Sequence, residues 1–386
     1  MRSAALILLL GSFALPAQAQ DPEEATFVTR LGRDTLAIET VRRAGREISG
    51  TLVTFTPATR VNRYTMQLTD AGTVHAATLE LFPGDAAPNA APQARVTMTR
   101  HETRVTLITV RGRQADTLMT EVPGATIPQI GNSMAVYEQM AMQAAKEGGP
   151  RVTVHLFPLA GGTEVQENAV VRHSRDTVAI DFFGSAHLLH VDEAGRLLGM
   201  DGSQSTFKVM VERVPGSVDL RALAAAGAER DRAGTGLGAL STRDTARAMI
   251  GGAEVSVDYG RPAVRGRQIL GNVVPFGQVW RTGANNPTMF STSRDLQVGD
   301  RTLPAGSYTL LTVPSETGAE VIFSRQPADV PGHDPAYDLA RIPAEVLEAR
   351  TPVERLTITF EPGESGASSM VLAWHTFVWR VPVRAR

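Results

Sequence analysis

The stretch DYGRPAVRGRQILGNVVPFGQVWRTGANN, residues 258 to 286, sets Arg261, Arg265, Arg267 and Arg281 after a single acid, and no Asp or Glu falls between Tyr259 and Arg294. A guanidinium fork binds carboxylate or phosphate bidentately, and a buried one needs a counter-charge. Either distant carboxylates neutralise these arginines or an anion does. Gly260, Gly266, Gly271, Gly277 and Gly283 are interleaved with them, so backbone amides could approach the same anion. Arg261, Arg265, Arg267, Arg281 and Asn285 are therefore the candidate ligand-binding residues. The competing role is structural, in which the arginines pair with Asp258, Asp295 or Glu354 across neighbouring strands. Arginine as such carries little information, because only Lys146 and Lys208 among the 38 basic residues are lysine. The local lack of acids is the better signal.

Other chemistry is sparse. The chain has no cysteine, which removes disulfides, thiolate nucleophiles and Cys-ligated zinc together. No Gly-x-Ser-x-Gly elbow occurs, and the eight histidines form no close ligand cluster. His187, His190 and Asp192 come nearest, but residues three apart on a strand point to opposite faces. GTGLG, residues 234 to 238, follows an Ala-rich helical stretch, whereas a dinucleotide loop follows a strand. Neither a metal nor a cofactor is expected. A hydrolase would have to use Arg281 and Asn285 as oxyanion-type donors with an acid such as Asp258 as base.

The 38 basic and 40 acidic residues give a net charge of −2, no footprint for nucleic acid or an anionic membrane. The first residues, MRSAALILLLGSFALPAQAQ, read as a signal peptide: Arg2, an apolar run from Ala4 to Leu10, and the small-x-small site Ala17-Gln18-Ala19. The mature chain is expected to begin at Gln20 and to be exported to the periplasm or the extracellular space. No stretch approaches the ~20 apolar residues of a transmembrane helix.

The elements behind the arginines read as strands. VTRLGRDTLAIE (28 to 39) and VVRHSRDTVAID (170 to 181) form an internal repeat, with a fainter echo in RGRQADTLMTEV (111 to 122). Its spacing is too long for a solenoid and fits repeated strand-turn-strand units in one β structure. Val96 and Met98, Val105 and Leu107, and Val152, Val154 and Leu156 alternate with period two. NSMAVYEQMAMQAAKEGG, residues 132 to 149, is the helical exception, with Asn132 or Ser133 as N-cap, a stripe of Met134, Tyr137 and Met140, and a Gly148-Gly149 stop. Residues 219 to 244, Ala- and Gly-rich, read as a short helix running into a flexible linker with little to anchor it. After them, strands flank Gly251-Gly252 and Gly299-Asp300, in the pattern of an antiparallel sandwich with Leu310, Trp374 and Trp379 in its core. The expected fold class is all-β: signal peptide 1–19, an N-terminal antiparallel β domain with one helix and an internal repeat over 20–218, a linker over 219–244, and a C-terminal β-sandwich over 245–386.

The motifs Tyr259-Gly260-Arg261-Pro262 with Gly266-Arg267, then Trp280-Arg281-Thr282-Gly283-Ala284-Asn285, then Pro304-Ala305-Gly306-x-Tyr308 resemble those of a bacterial family catalogued as domain of unknown function 2911, over about residues 241–386. The resemblance implies a β-rich exported or envelope domain and brings no activity. Where that family commonly carries Glu after Gly-Ala-Asn, this chain has Asn286 and then Pro287. The function expected is a non-enzymatic envelope protein whose Arg-rich C-terminal loops bind a polar or anionic ligand, a glycan or another envelope component. One alternative is a hydrophobic-ligand or lipid carrier, with the Met-rich helix over residues 134–142 lining a cavity of the N-terminal domain. The other is an exported hydrolase using Arg281 and Asn285.

Overall fold

The computed structural model describes residues 23–182, 185–205, 208–330, 332–363 and 367–386; the expected signal peptide lies outside them. Fifteen strands come first: β1 (Glu23–Leu31), β2 (Asp34–Ala44), β3 (Glu47–Thr54), β4 (Arg60–Leu68), β5 (Val74–Pro83), β6 (Ala94–His101), β7 (Arg104–Arg111), β8 (Gln114–Glu121), β9 (Ile127–Gln129), β10 (Arg151–Pro158), β11 (Gln166–Arg172), β12 (Thr177–Phe182), β13 (Ser185–Val191), β14 (Leu197–Asp201) and β15 (Met210–Val214). Helix α1 (Met134–Glu147) separates β9 from β10. The strands form one sheet that runs from β8 back to β1 and then from β15 back to β9, antiparallel except between β9 and β10. Its two edges, β8 and β9, are therefore neighbours in sequence. The repeat copies are the β1–β2 and β11–β12 hairpins, and the faint echo is the β7–β8 hairpin.

Alternation along each strand turns one row of apolar side chains to a common interior. Val96 and Met98, Val105 and Leu107, and Val152, Val154 and Leu156 are all buried in it. Helix α1 touches β2 as well as β9, β10, β11 and β14, so the sheet curves around it from both halves. Met134 and Met140 are buried in that core.

A helix end inside a core must satisfy its free N–H groups. Ser133 is the N-cap but makes no capping bond of its own. Glu39, from β2, does the work instead: its carboxylate accepts from the Met134 N–H, the Ser133 hydroxyl and the Tyr64 hydroxyl, each at 2.6 Å. A carboxylate at a helix N-terminus also complements the helix dipole. One turn further along, Glu138 pairs with Arg43 of β2 and accepts from the Leu197 N–H at 2.8 Å. Two buried carboxylates thus hold α1 to both halves of the sheet.

Residues 219–244 open with helix α2 (Leu220–Arg232), N-capped by Asp219 on the Ala222 N–H. The expectation that little anchors this segment does not hold. Leu220 and Ala224 are buried against Val53 of β3 and Phe55 just after it, the Asp231 carboxylate accepts from the Thr59 N–H at 2.6 Å, and the Gly238 carbonyl accepts from the Thr56 hydroxyl at 2.8 Å. Leu220 and Ala224, one turn apart on one face, supplied enough apolar surface to dock the helix.

The remaining strands are β16 (Ser241–Ile250), β17 (Ala253–Pro262), β18 (Met289–Thr292), β19 (Leu296–Val298), β20 (Arg301–Leu303), β21 (Gly306–Pro314), β22 (Ala319–Ser324), β23 (Asp338–Pro362) and β24 (Ala367–Ala385). They pair antiparallel in the order β16, β17, β18, β21, β22, β23, β24, β19, β20. The long β23–β24 hairpin shifts register between Glu348 and Val353 and again before Thr357. Such irregularities bend a ribbon, and the hairpin folds back over β16 and β17 to close a sandwich. Trp374, Trp379, Tyr259, Phe290 and Phe323 fill its core. The Tyr259 hydroxyl accepts from the Ile358 N–H at 2.8 Å, a bond between the layers.

Burial pushes the Glu39 carboxyl up to about 6, against the pull of its three hydrogen bonds and of Arg43. A raised folded-state value means that the folded chain holds a proton the unfolded chain has released. The stabilisation is thus full below the ordinary value of 4.5 and is lost as pH rises through about 6. A shift of this size corresponds to about 2 kcal/mol. Glu39→Gln, which keeps an acceptor on α1 and cannot ionise, should flatten the stability curve between those two pH values relative to the wild-type chain in urea titrations. Parallel curves for the two proteins would show that Glu39 does not titrate in that window.

Candidate functional site

The candidate site is a cleft of ≈ 520 Å³ in the C-terminal sandwich. Its floor is the outward face of β21, where Thr309 and Leu311 alternate with the core residues Tyr308 and Leu310. One wall is the segment carrying Val279, Arg281 and Pro287; the other is the loop carrying Gln326 to Val330, Gly332 and His333.

The first wall is held by main-chain bonds and close approaches. Trp280 and Thr312 exchange backbone bonds at 2.8 and 2.9 Å, and the Trp280 ring stacks on Trp374 at 5.8 Å between centroids. The following turn sets Thr282 at φ 53° and Asn285 at φ 62°. Positive φ is costly for a β-branched residue, and buried bonds hold it there: the Thr282 and Thr312 hydroxyls share a bond at 2.7 Å, and the Thr288 hydroxyl donates to the Thr282 carbonyl at 3.1 Å. The turn lies so close on β17 that a Cβ at Gly260 would overlap the Ala284 carbonyl. Arg281 is exposed and donates from Nη1 to the Asn285 carbonyl at 2.7 Å.

Gln326 shapes the second wall. Its buried amide donates to the Val330 and Gly332 carbonyls at 3.3 and 3.1 Å and accepts from the Asp334 N–H at 2.7 Å, closing the loop on itself. His333 follows, with Nε2 2.9 and 3.1 Å from the two oxygens of Asp338. Asp338 also accepts from Arg341 at 3.0 Å, and Arg341 reaches Glu320 at 2.8 Å. A carboxylate facing Nε2 sets a ring N–H there and fixes the orientation of the imidazole.

The five residues expected to share one site do not converge. Only Arg281 lines the cleft, and Asn285 contributes its carbonyl to Arg281. Arg261 donates to the Leu356 carbonyl, Asp244 and Thr357, each at 3.0 Å, and so joins β17 to β16 and β23. Arg267 donates to the Val264 and Ala263 carbonyls at 3.1 and 2.6 Å, and burial, with Arg265 next to it, pushes its guanidinium down. Arg265, a candidate ligand-binding residue, is 5% exposed and pairs with Asp34 of β2 at 2.5 Å. The missing counter-charges come from elsewhere in the chain, not from Asp258 or Asp295. Asp258 pairs with Arg243, and Asp295 accepts from the Ala305 N–H at 2.9 Å. Glu354 takes part through the Arg265 N–H at 3.0 Å. Asp258 does not line the cleft, so the base considered for a hydrolase is not placed beside Arg281.

The Arg265 turn is the junction of the two sheets. Arg265 sits at φ 50°, its carbonyl accepts from the Arg33 N–H at 3.0 Å, and a Cβ at Gly32 would overlap that carbonyl. The helix expected to line a lipid cavity instead fills the first core with Met134 and Met140, and Met142 faces a surface groove of ≈ 460 Å³. His333 and Gln326 were not picked out from sequence. The only trace of them was a run of turn residues, QPADVPGHDPAY, too loose to name a role.

The fold and the cleft define an all-β protein of two joined sheets, with one solvent-facing arginine in the cleft of the second. Residues 241–383 match the family described as Protein of unknown function (DUF2911). No curated protein matches the chain. Among solved structures it is similar to a beta-barrel-like protein of domain of unknown function DUF1849 from Brucella abortus, at 12% identity and a TM-score of 0.34, over 50% of this chain and 95% of that one. It is also similar to a DUF1089 family protein from Pseudomonas aeruginosa, at 13% identity and a TM-score of 0.23, over the same shares. No helix among the described residues is long and apolar enough to cross a membrane.

Arg265→Ala should strand Asp34 at the junction and cost about 2 kcal/mol, whereas Arg281→Ala, on the surface, should stay within about 0.5 kcal/mol of the wild type. All three tryptophans lie in the C-terminal sandwich, so their fluorescence during urea unfolding reads that domain directly. Equal losses for the two variants would make Arg281 a structural residue.

Proposed function

We infer that the protein is an exported binding module, not an enzyme, and that its C-terminal cleft takes a small polar ligand bearing a carboxylate or phosphate. The observation that carries this reading is the contrast among the arginines. Arg261, Arg265 and Arg267 are spent on the fold, while Arg281 lines the cleft, is exposed, and forms no ion pair among the described residues. A guanidinium with open donors beside a concavity is a ready partner for an anion. The cleft also offers an acceptor in the Asp329 carboxylate, so the favoured ligand carries hydroxyl or amine donors beside its anionic group, as sugar acids and sugar phosphates do. Binding is favoured over hydrolysis because no Ser among the described residues lines the cleft and the Thr309 hydroxyl already donates to the Gln326 carbonyl at 3.0 Å. Export rests on the leader-like first residues.

Calorimetric titration with galacturonate, glucose 1-phosphate and neutral galactose tests the ligand class. The anions should bind and galactose should not, and Arg281→Ala should weaken anion binding by roughly tenfold or more, the loss expected for one charge-assisted contact. Undiminished binding by Arg281→Ala would place the site elsewhere. For export, protein recovered from the producing cell's envelope or medium should begin at Gln20; an N-terminus at Met1 would refute it.

A further inference from the structure

The open edge of the first sheet is β8. It is an uninterrupted strand of eight residues, QADTLMTE, every one of them exposed or half-exposed. It contains no Lys, no Pro and no bulge against β7, the devices that usually blunt an edge. On the outward face, Met119 is 68% exposed, with Ile108 and Val110 of β7 exposed beside it. Among the described residues no strand pairs with its far side.

The phase of the hairpin shows which backbone groups are free. The turn Gly112-Arg113 closes directly on Arg111 and Gln114, and at the other end the Val122 N–H donates to the Thr103 carbonyl at 2.8 Å. Residues closing a two-residue hairpin exchange both of their backbone bonds, and bonded pairs then alternate along the ladder. Both ends agree. Gln114, Asp116, Leu118 and Thr120 bond to β7, while Ala115, Thr117, Met119 and Glu121 turn N–H and C=O outward.

We propose that this edge pairs with the same edge of a second copy, β8 against β8 in antiparallel register about Leu118, to give a two-fold dimer with one sheet continuous across both chains. A two-fold axis normal to a sheet keeps each face on its own side, so facing residues must have the same parity. Asp116 and Glu121 have opposite parity and never face each other, so like charges do not oppose the pairing. Centred on Leu118, the register sets Leu118 against Leu118, Thr117 against Met119, Asp116 against Thr120 and Ala115 against Glu121. Glu121 then lies diagonal to Arg113 of the second copy, within reach of a long side chain. The outward groups Ala115, Thr117, Met119 and Glu121 all gain partners.

The chain has no cysteine, so an introduced one reports without background. Directly opposed residues at a non-hydrogen-bonded position bring their Cα atoms to about 4.5 Å, within the range of a disulfide. Leu118→Cys should therefore cross-link into a dimer under mild oxidation, and Thr120→Cys, whose partner is Asp116, should not. The wild-type chain should sediment as a dimer. Thr117→Pro removes an outward N–H and none of the bonds to β7, so it should weaken the dimer by about tenfold or more while the chain stays folded by circular dichroism. A wild-type chain that sediments as a monomer, whether another protein's strand takes the edge or nothing does, overturns the proposal. A Thr117→Pro chain that is folded and still dimeric overturns it too, because the interface must then lie elsewhere.

Discussion

The first sheet depends on a carboxylate that water cannot reach. Fifteen strands curled around a single helix bury the helix start along with its apolar side, and a buried N-terminus leaves donors that the helix cannot satisfy itself. Glu39 accepts from three of the groups gathered there. It is also fully buried, and its ionisation is correspondingly resisted. The arrangement fixes where α1 begins relative to β2, and Glu138 with Arg43 fixes its rotation one turn later. The position of the methionines that fill the core follows from those two anchors.

In the second sheet the comparable constraint is steric. Gly260 lets the Ala284 carbonyl lie against β17, and Thr282 is held in the left-handed region by two threonine hydroxyls. That turn then presents Arg281 outward while Trp280 stacks inward on Trp374. The Trp-Arg-Thr-Gly-Ala-Asn motif therefore encodes a backbone path at least as much as a set of side chains. Its departure at Asn286 and Pro287 falls on carbonyls that Arg243 holds at 3.4 and 3.0 Å, so this part of the turn is also tied to β16.

Much of the architecture was legible in the sequence because it rests on local periodicity. Alternation at Val96 and Met98 or at Val152 and Val154, the Gly251-Gly252 hairpin, and the stop of α1 at Gly148 each depend on neighbouring residues. The arginines were harder to read for the opposite reason. Asp34 lies 231 positions from Arg265, and no local scan for acids can find such a partner. Asp244, the partner of Arg261, lies 17 positions before it on the neighbouring strand, upstream of the acid-free window. The anchoring of α2 was missed because alanine is a weak apolar signal singly, and docking came from Leu220 and Ala224 together. His333 escaped notice because its partner, Asp338, sits across a turn with no periodicity.

The two copies of the internal repeat differ at their turns. The β1–β2 turn reads Leu31-Gly32-Arg33-Asp34 and the β11–β12 turn reads His173-Ser174-Arg175-Asp176. Glycine at position 32 admits the Arg265 carbonyl, and Asp34 receives its guanidinium. Serine at the matching position would bring a Cβ into that carbonyl, and Asp176 is already bonded to the Ser174 and Thr177 hydroxyls. Of two turns descended from one pattern, only the first can act as a socket. The duplicated sheet therefore has a valence of one: a single sandwich seats on it, in one place, and the second turn is left as an ordinary bend at the surface.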